Sequence, residues 1–246
     1  MIVVRSTASK LFGMPPVRGC CSHVTRAERM LATGRAWLLT TVLLAALTPA
    51  AAAPYRVTVT DAQSAPLADA VVMLRTPRTS ARPPLTVSAQ PVVIQQIDRE
   101  FVPRVTVLPV GSRISMPNND AVPHSVYSFS PAKQFEFDAY VGSSPRVLTL
   151  DKTGIITLGC NIHDWMVGYI VVVDTPLAAQ TDAAGSVTFP NVADGDYELR
   201  IWHPQQRSGE YVAVTTAGEQ NRAQSIVMDV APPRARYKPP LTVKKY

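Results

Sequence analysis

Gly159-Cys160-Asn161-Ile162-His163-Asp164-Trp165-Met166 places a thiol, an imidazole and a thioether on one short stretch, spaced Cys-x2-His-x2-Met. On either side, residues 154–158 and 168–173 are short runs rich in Ile, Leu and Val. Each reads as a strand, so the stretch between them is a tight loop that returns the chain antiparallel. Chain closure over that loop then fixes three candidate ligands at once. A second imidazole comes from Asn118-Asn119-Asp120-Ala121-Val122-Pro123-His124. It must arrive from a different strand, and Pro123 restricts the turn before it.

The rest of the chain has the same texture. From Tyr55 onward, short alternating or apolar runs are separated by Gly, Pro, Asn and Asp. Residues 56–61, 70–75, 91–97, 104–109, 112–116, 124–129 and 146–150 read as strands, as do 186–189, 197–202, 210–215 and 223–230. Regular short strands of this kind predict an all-β fold of sandwiches or barrels. Only residues 132–140 invite a helical turn. Residues 76–84, with three Pro and two Arg, read as a linker or exposed loop. A second boundary falls at Asp174-Thr175-Pro176, and residues 232–246, rich in Pro and basic groups, read as an extended tail.

The first 53 residues have the character of a leader. Arg35 precedes the apolar run Ala36 to Leu47, followed by Pro49 and the small residues Ala50 to Ala53. A basic flank, a short apolar core and small residues before a cut describe a secretory signal of the general export type. The run is too short to span a bilayer. Residues 1–29 do not fit such a signal, so the expectation is a start at Met30, with the upstream part an extension. Export without a span in the mature chain places the protein in the periplasm.

Removing residues 1–53 takes away six basic residues and one acid, leaving 18 basic against 17 acidic. The formal charge of +6 mostly vanishes, and with it any case for nucleic acid. Cys20, Cys21 and His23 leave as well, so Cys160 becomes the only cysteine and His124, His163 and His203 the only histidines. Exported proteins generally use cysteines in pairs. A lone thiol there is either a liability or a ligand. His203, before Pro204, is a turn residue or, if two sandwiches pack loop to loop, a further ligand.

Two imidazoles, a thiolate and a weak thioether form a ligand set suited to copper. Nitrogen ligands serve the oxidised ion and soft sulfur the reduced one, so little has to move on a one-electron change. Zinc could use Cys and His, but a thioether is a poor zinc ligand.

Together with Pro103, Val110-Gly111, Pro117-Asn118, Asp120, Pro123-His124-Ser125-Val126, Phe129 and Gly154, this stretch resembles the plastocyanin-like cupredoxins over roughly residues 85–175. The short Cys-x2-His-x2-Met loop and the Asn-x-acid-x-x-Pro-His run resemble those of amicyanin, which takes electrons from methylamine dehydrogenase. The combined signature is similar to periplasmic proteins of the methylamine-utilisation type. The resemblance implies a Greek-key sandwich with one type-1 copper. His124, Cys160 and His163 would be its strong ligands and Met166 the weak axial one. Asn118 would tie the two ligand loops together by hydrogen bonds. Asp120 would act beside it or be an exposed turn carboxylate. In cupredoxins the edge of the second histidine is the electron port. Trp165 and Ile162 would then line a docking patch around His163, or Trp165 would pack under the loop. Redox partners such as a periplasmic dehydrogenase and a c-type cytochrome follow from the same likeness.

Val57 to Leu74, with Pro66-Leu67 and Ala70-Val71-Val72-Met73-Leu74, and then Thr181-Asp182-Ala183-Ala184-Gly185-Ser186-Val187-Thr188-Phe189 and Gly195-Asp196-Tyr197-Glu198-Leu199, resemble the carboxypeptidase-regulatory-like (transthyretin-like) sandwich. Ser64 stands where that pattern often has Gly. The resemblance implies a small Ig-like sandwich split into residues 54–80 and 176–231, with the cupredoxin inserted between.

The function expected on these grounds is an exported carrier of single electrons and not an enzyme. A multicopper oxidase or copper nitrite reductase needs a second centre with several more histidines. The alternative is copper binding or storage, or an accessory module, without electron transfer.

Overall fold

The computed structural model describes residues 52–76, 84–142, 146–209, 211–216 and 222–232. Nearly all of the expected leader, most of the 76–84 linker and most of the tail lie outside these residues. Every regular element among the described residues is a strand, as an all-β chain requires. In order they are β1 (Ala53–Thr60), β2 (Val71–Arg75), β3 (Val92–Val93), β4 (Gln95–Ile97), β5 (Glu100–Val102), β6 (Val105–Pro109), β7 (Arg113–Ser115), β8 (Val126–Ser130) and β9 (Lys133–Glu136). There follow β10 (Val147–Thr149), β11 (Gly154–Cys160), β12 (Gly168–Val173), β13 (Ala178–Gln180), β14 (Ser186–Val192), β15 (Tyr197–Trp202), β16 (Val212–Thr216) and β17 (Ala223–Val227).

Strands from both ends of the chain form one pair of sheets, ordered β14-β1-β17 and β13-β2-β15-β16. β1 shows why: Tyr55, Val57 and Val59 are buried, while Arg56, Thr58 and Thr60 between them are not. That alternation, with period two, turns one apolar face inward. It meets Leu74, Phe189, Leu199, Ile201 and Ile226 in a single core. The strands between, β3 to β12, make a five-stranded sheet β6-β12-β11-β8-β9 and a three-stranded sheet β10-β7-β3, with β4 and β5 as a separate hairpin. Their core gathers Phe101, Ile114, Met116, Leu150, Leu158, Ile170 and also Cys160 and Met166.

A third cluster lies between the two groups: Val71, Met73 and Trp202 pack with Val105, Val171 and Val173. This explains why β2 and β12 are buried on both faces. Val72 and Leu74 serve one core and Val71 and Met73 the seam, so the strand reads as a continuous apolar run. Tyr169 and Trp202 meet there with ring centroids 5.1 Å apart. Where the chain leaves the first group, Arg75 donates to Asp174, where it returns, at 2.7 Å.

Several local details depart from the sequence reading. The helical turn expected at 132–140 is absent, and β9 occupies 133–136, paired with β8. The expected strand 91–97 is two, β3 and β4, joined at the buried Ile94, and β4 turns back into β5. β14 runs through Pro190 because its register with β1 slips between Ala53 and Tyr55, a bulge where a proline costs no ladder bond. Ser64, in place of Gly, adopts φ 66°, and the Asp61 carboxylate holds its turn by accepting the N–H groups of Gln63 and Ala65.

Candidate metal centre

β11 does not stop at residue 158, as the sequence suggests, but continues to Cys160, paired with Val126 of β8. The pairing carries the thiol into the core on the same face as Ile156 and Leu158, at 4% exposure. Here the loop Asn161–Val167 begins. Asn161 donates its N–H to Ser125 O at 3.0 Å, and Met166 N–H to His163 O at 2.9 Å closes the turn. His124 arrives just before β8 and is held by reciprocal backbone bonds with Tyr140, at 3.1 and 3.0 Å.

These two segments bring three donor atoms together. His124 Nδ1 and His163 Nδ1 lie 3.1 Å apart, and Cys160 Sγ is 3.8 Å from each. A point in the plane of that triangle stands ~2.1 Å from all three atoms, which matches metal–imidazole and approaches metal–thiolate bond lengths. The three form the group of His, Cys and acidic residues able to hold a metal ion among the described residues.

Hydrogen bonding explains the orientation. Asp120 Oδ2 lies 2.8 Å from His124 Nε2. Burial raises the Asp120 pKa, but the Arg99 N–H, the His124 ring and the Asp98 N–H outweigh it and hold the carboxyl below its ordinary value. An ionised carboxylate only accepts, so His124 carries its proton on Nε2 and presents the Nδ1 lone pair to the cluster. His163 also presents Nδ1. At 3.1 Å the two ring nitrogens need a proton or a cation between them, and the soft sulfur beside them fits a metal that takes both donor types. Burial works against the Cys160 thiolate, yet the His124 ring, when protonated on both nitrogens, and the backbone N–H groups of Ile162, His163 and Ser125 pull the thiol pKa down. Burial, His124 and the Arg99 guanidinium keep His163 below the usual imidazole value.

Met166 is 1% exposed and sits in the core that holds Cys160. Ile162 is 48% exposed, and the half-buried Trp165 ring lies 5.2 Å from the His163 ring, centroid to centroid. Asp120 is not an exposed turn carboxylate, since its side chain is 13% exposed. Asn118 departs from its expected role. Its side chain donates to Val122 O and Tyr140 O and accepts from the Asp120 N–H, all on the His124 side. The tie to the Cys160 loop comes from Asn161, which donates to Ser125 Oγ and Glu136. His203 is a buried turn residue: Nε2 faces Ala68 O at 3.1 Å and Nδ1 accepts the Gln205 N–H.

No protein-family model and no curated protein matches the sequence. Among solved structures, the copper-containing nitrite reductase (NirK) from Thermus scotoductus SA-01 is similar at 23% identity and TM-score 0.32, over 41% of this chain and 25% of that one. This chain thus spans about a quarter of that enzyme's length. A proline-to-glycine mutant of amicyanin in its reduced Cu(I) form is similar at 18% identity and TM-score 0.32, over 35% of this chain and 85% of that one. A purple cupredoxin from Nitrosopumilus maritimus is similar at 22% identity and TM-score 0.30, over 33% and 96%. Likeness at this level assigns no family.

Sequence reasoning passed over two groups around the site. Gln96 is fully buried, with Nε2 donating to Tyr140 Oη at 2.6 Å and Met116 O at 3.2 Å. Tyr140 Oη in turn donates to Met116 O at 2.7 Å. Paired polar residues at Gln95-Gln96 inside an apolar run were the available signal, since a buried amide needs partners. The turn Asp98-Arg99 carried no signal, because a two-residue hairpin turn is recognised by Gly and this one has none.

Proposed function

We propose that this chain is an exported type-1 copper protein that passes single electrons between redox partners and has no substrate chemistry of its own. The observation that carries the reading is the convergence of His124 Nδ1, His163 Nδ1 and Cys160 Sγ on one point. These residues would hold the ion, with Met166 as the weak fourth ligand. Bound copper would supply exchange between Cu(I) and Cu(II). The chain's own part is to keep donors suited to both states in fixed places. The core around Cys160 and Met166 excludes water, and the β8–β11 pairing sets the thiol. His163 is the ligand nearest solvent, flanked by Ile162 and Trp165, and this edge is where a partner would exchange the electron. A periplasmic dehydrogenase as donor and a c-type cytochrome as acceptor fit the motif resemblance.

The test is to add Cu(II) to the purified protein. An intense thiolate-to-copper charge-transfer band is expected, lost in Cys160→Ser and bleached reversibly by a one-electron reductant. Tight binding without that band would favour storage and sink the carrier reading.

A further inference from the structure

The turn that joins β4 to β5 has an unusual backbone. Asp98 and Arg99 both have positive φ, 53° and 57°, although neither is Gly. A side chain with a Cβ is crowded in this left-handed region, so the surroundings must hold it. Its geometric effect is to turn two successive N–H groups to one side as a concave anion site. An anion is there: Asp98 N–H donates to Asp120 Oδ1 at 2.7 Å and Arg99 N–H to Oδ2 at 2.9 Å. Oδ2 also meets His124 Nε2 at 2.8 Å.

The hairpin carrying this turn is fixed to the same segment by further bonds. Gln96 N–H donates to Pro117 O, and Asn119 N–H to Gln96 O, at 3.0 and 2.9 Å. The Gln96 amide reaches Met116 O and Tyr140 Oη, and Phe101 of β5 lies in the core at 2% exposure. The carboxylate therefore cannot rotate away from His124 without breaking the turn or unseating the hairpin.

We propose that the Asp98-Arg99 turn is a positioning clamp. Its two backbone N–H groups fix the Asp120 carboxylate, which fixes His124 in the Nε2–H tautomer with Nδ1 aimed at Cys160 and His163. The redox consequence rests on the copper reading above; the clamp itself belongs to the metal-free chain. The working groups are main-chain donors, so the side chains at 98 and 99 are dispensable while the N–H of Arg99 is not.

Three variants separate the clamp from simple support. Asp120→Ala removes the carboxylate. Arg99→Pro keeps the carboxylate but deletes one N–H and forbids positive φ. Asp98→Gly with Arg99→Gly keeps both donors and the conformation, and removes one charge of each sign. In metal-free protein, NMR of the ¹⁵N-labelled histidines should show a slowly exchanging Nε2–H on His124 in the wild type and the double-Gly variant. That proton should exchange at least tenfold faster in the other two. In copper-loaded protein, Asp120→Ala and Arg99→Pro should each raise the Cu(II)/Cu(I) potential, because the imidazole loses an anionic partner and donates less to the oxidised ion. A tenfold change in relative affinity for the two states is expected, or ~59 mV. Asp120→Asn, which retains an acceptor oxygen and the packing, serves if Asp120→Ala does not fold, and should give a smaller shift of the same sign. Unchanged exchange and potential in folded Asp120 and Arg99 variants would overturn the clamp while leaving copper binding intact. A wild type that gives no charge-transfer band would overturn the copper reading, and the metal-free exchange rates would still decide the clamp.

Discussion

His203 shows how a histidine can be committed without being a ligand. Both ring nitrogens are engaged at a buried turn, and burial lowers its pKa despite the Ala68 carbonyl. A folded-state pKa below the unfolded value means the unfolded chain binds the proton better. The stability contributed by neutral His203 is therefore full above the unfolded pKa of about 6.5 and is lost as pH falls through it toward the folded value. Denaturant midpoints at pH 7.5 and 5 should fall more on acidification in the wild type than in His203→Gln; equal losses would contradict the assignment. Trp165 belongs to the same scale. Its ring lies tilted against His163 at the exposed edge of the site, so Trp165→Ala should leave the proposed charge-transfer band in place. On the proposed carrier role, electron transfer to a redox partner should weaken about tenfold, the usual effect of truncating an interface aromatic. An unchanged rate would remove Trp165 from the docking surface. The donor residues themselves were legible in the sequence because Cys160, His163 and His124 are rare residue types in a telling order. The fixed tautomer of His124 was not, since it depends on Asp120 meeting a turn some twenty residues earlier.

Among the elements, strands with a clear apolar pattern, continuous in β12 and alternating in β15, were read to the residue and occupy the spans expected for them. What failed had a physical cause. β9 alternates half-buried Lys133 and Phe135 with exposed neighbours, too weak a period to separate strand from helix. β5 is three residues long and owes its existence to pairing with β4. Ser64 is the converse case, a residue other than Gly that holds a left-handed conformation. Its φ of 66° predicts opposite outcomes for two substitutions. Ser64→Gly should be neutral to mildly stabilising, because relief of the left-handed strain offsets a more flexible unfolded chain. Ser64→Val should cost roughly 1–3 kcal/mol. Thermal melts read both, and equal midpoints would mean the turn adapts.

At the scale of the molecule, the seam decides how the two groups of sheets behave. Val71, Met73 and Trp202 on one side and Val105, Val171 and Val173 on the other are all nearly or fully buried. Separating them would expose that surface at about 25 cal/mol per Å², so the groups should unfold together. Far-UV circular dichroism and loss of the copper band are expected to share one midpoint. Trp202→Ala should lower both by the same amount, at a cost of roughly 3–5 kcal/mol. Two separated midpoints in the wild type would show independent units.

The neck at Arg75 and Asp174 has a mechanical consequence. β1 and β17 lie side by side and parallel, with Arg56 to Thr60 in register with Ala223 to Val227. Tension applied between residues 52 and 230 would load that pair in shear, several backbone bonds at once. The strands between β2 and β13 leave and return through neighbouring, ion-paired residues, so they form a side branch that carries none of the pull. A protein tethered at both ends could be stretched to the point of rupture with its three donor atoms still 3.1 to 3.8 Å apart.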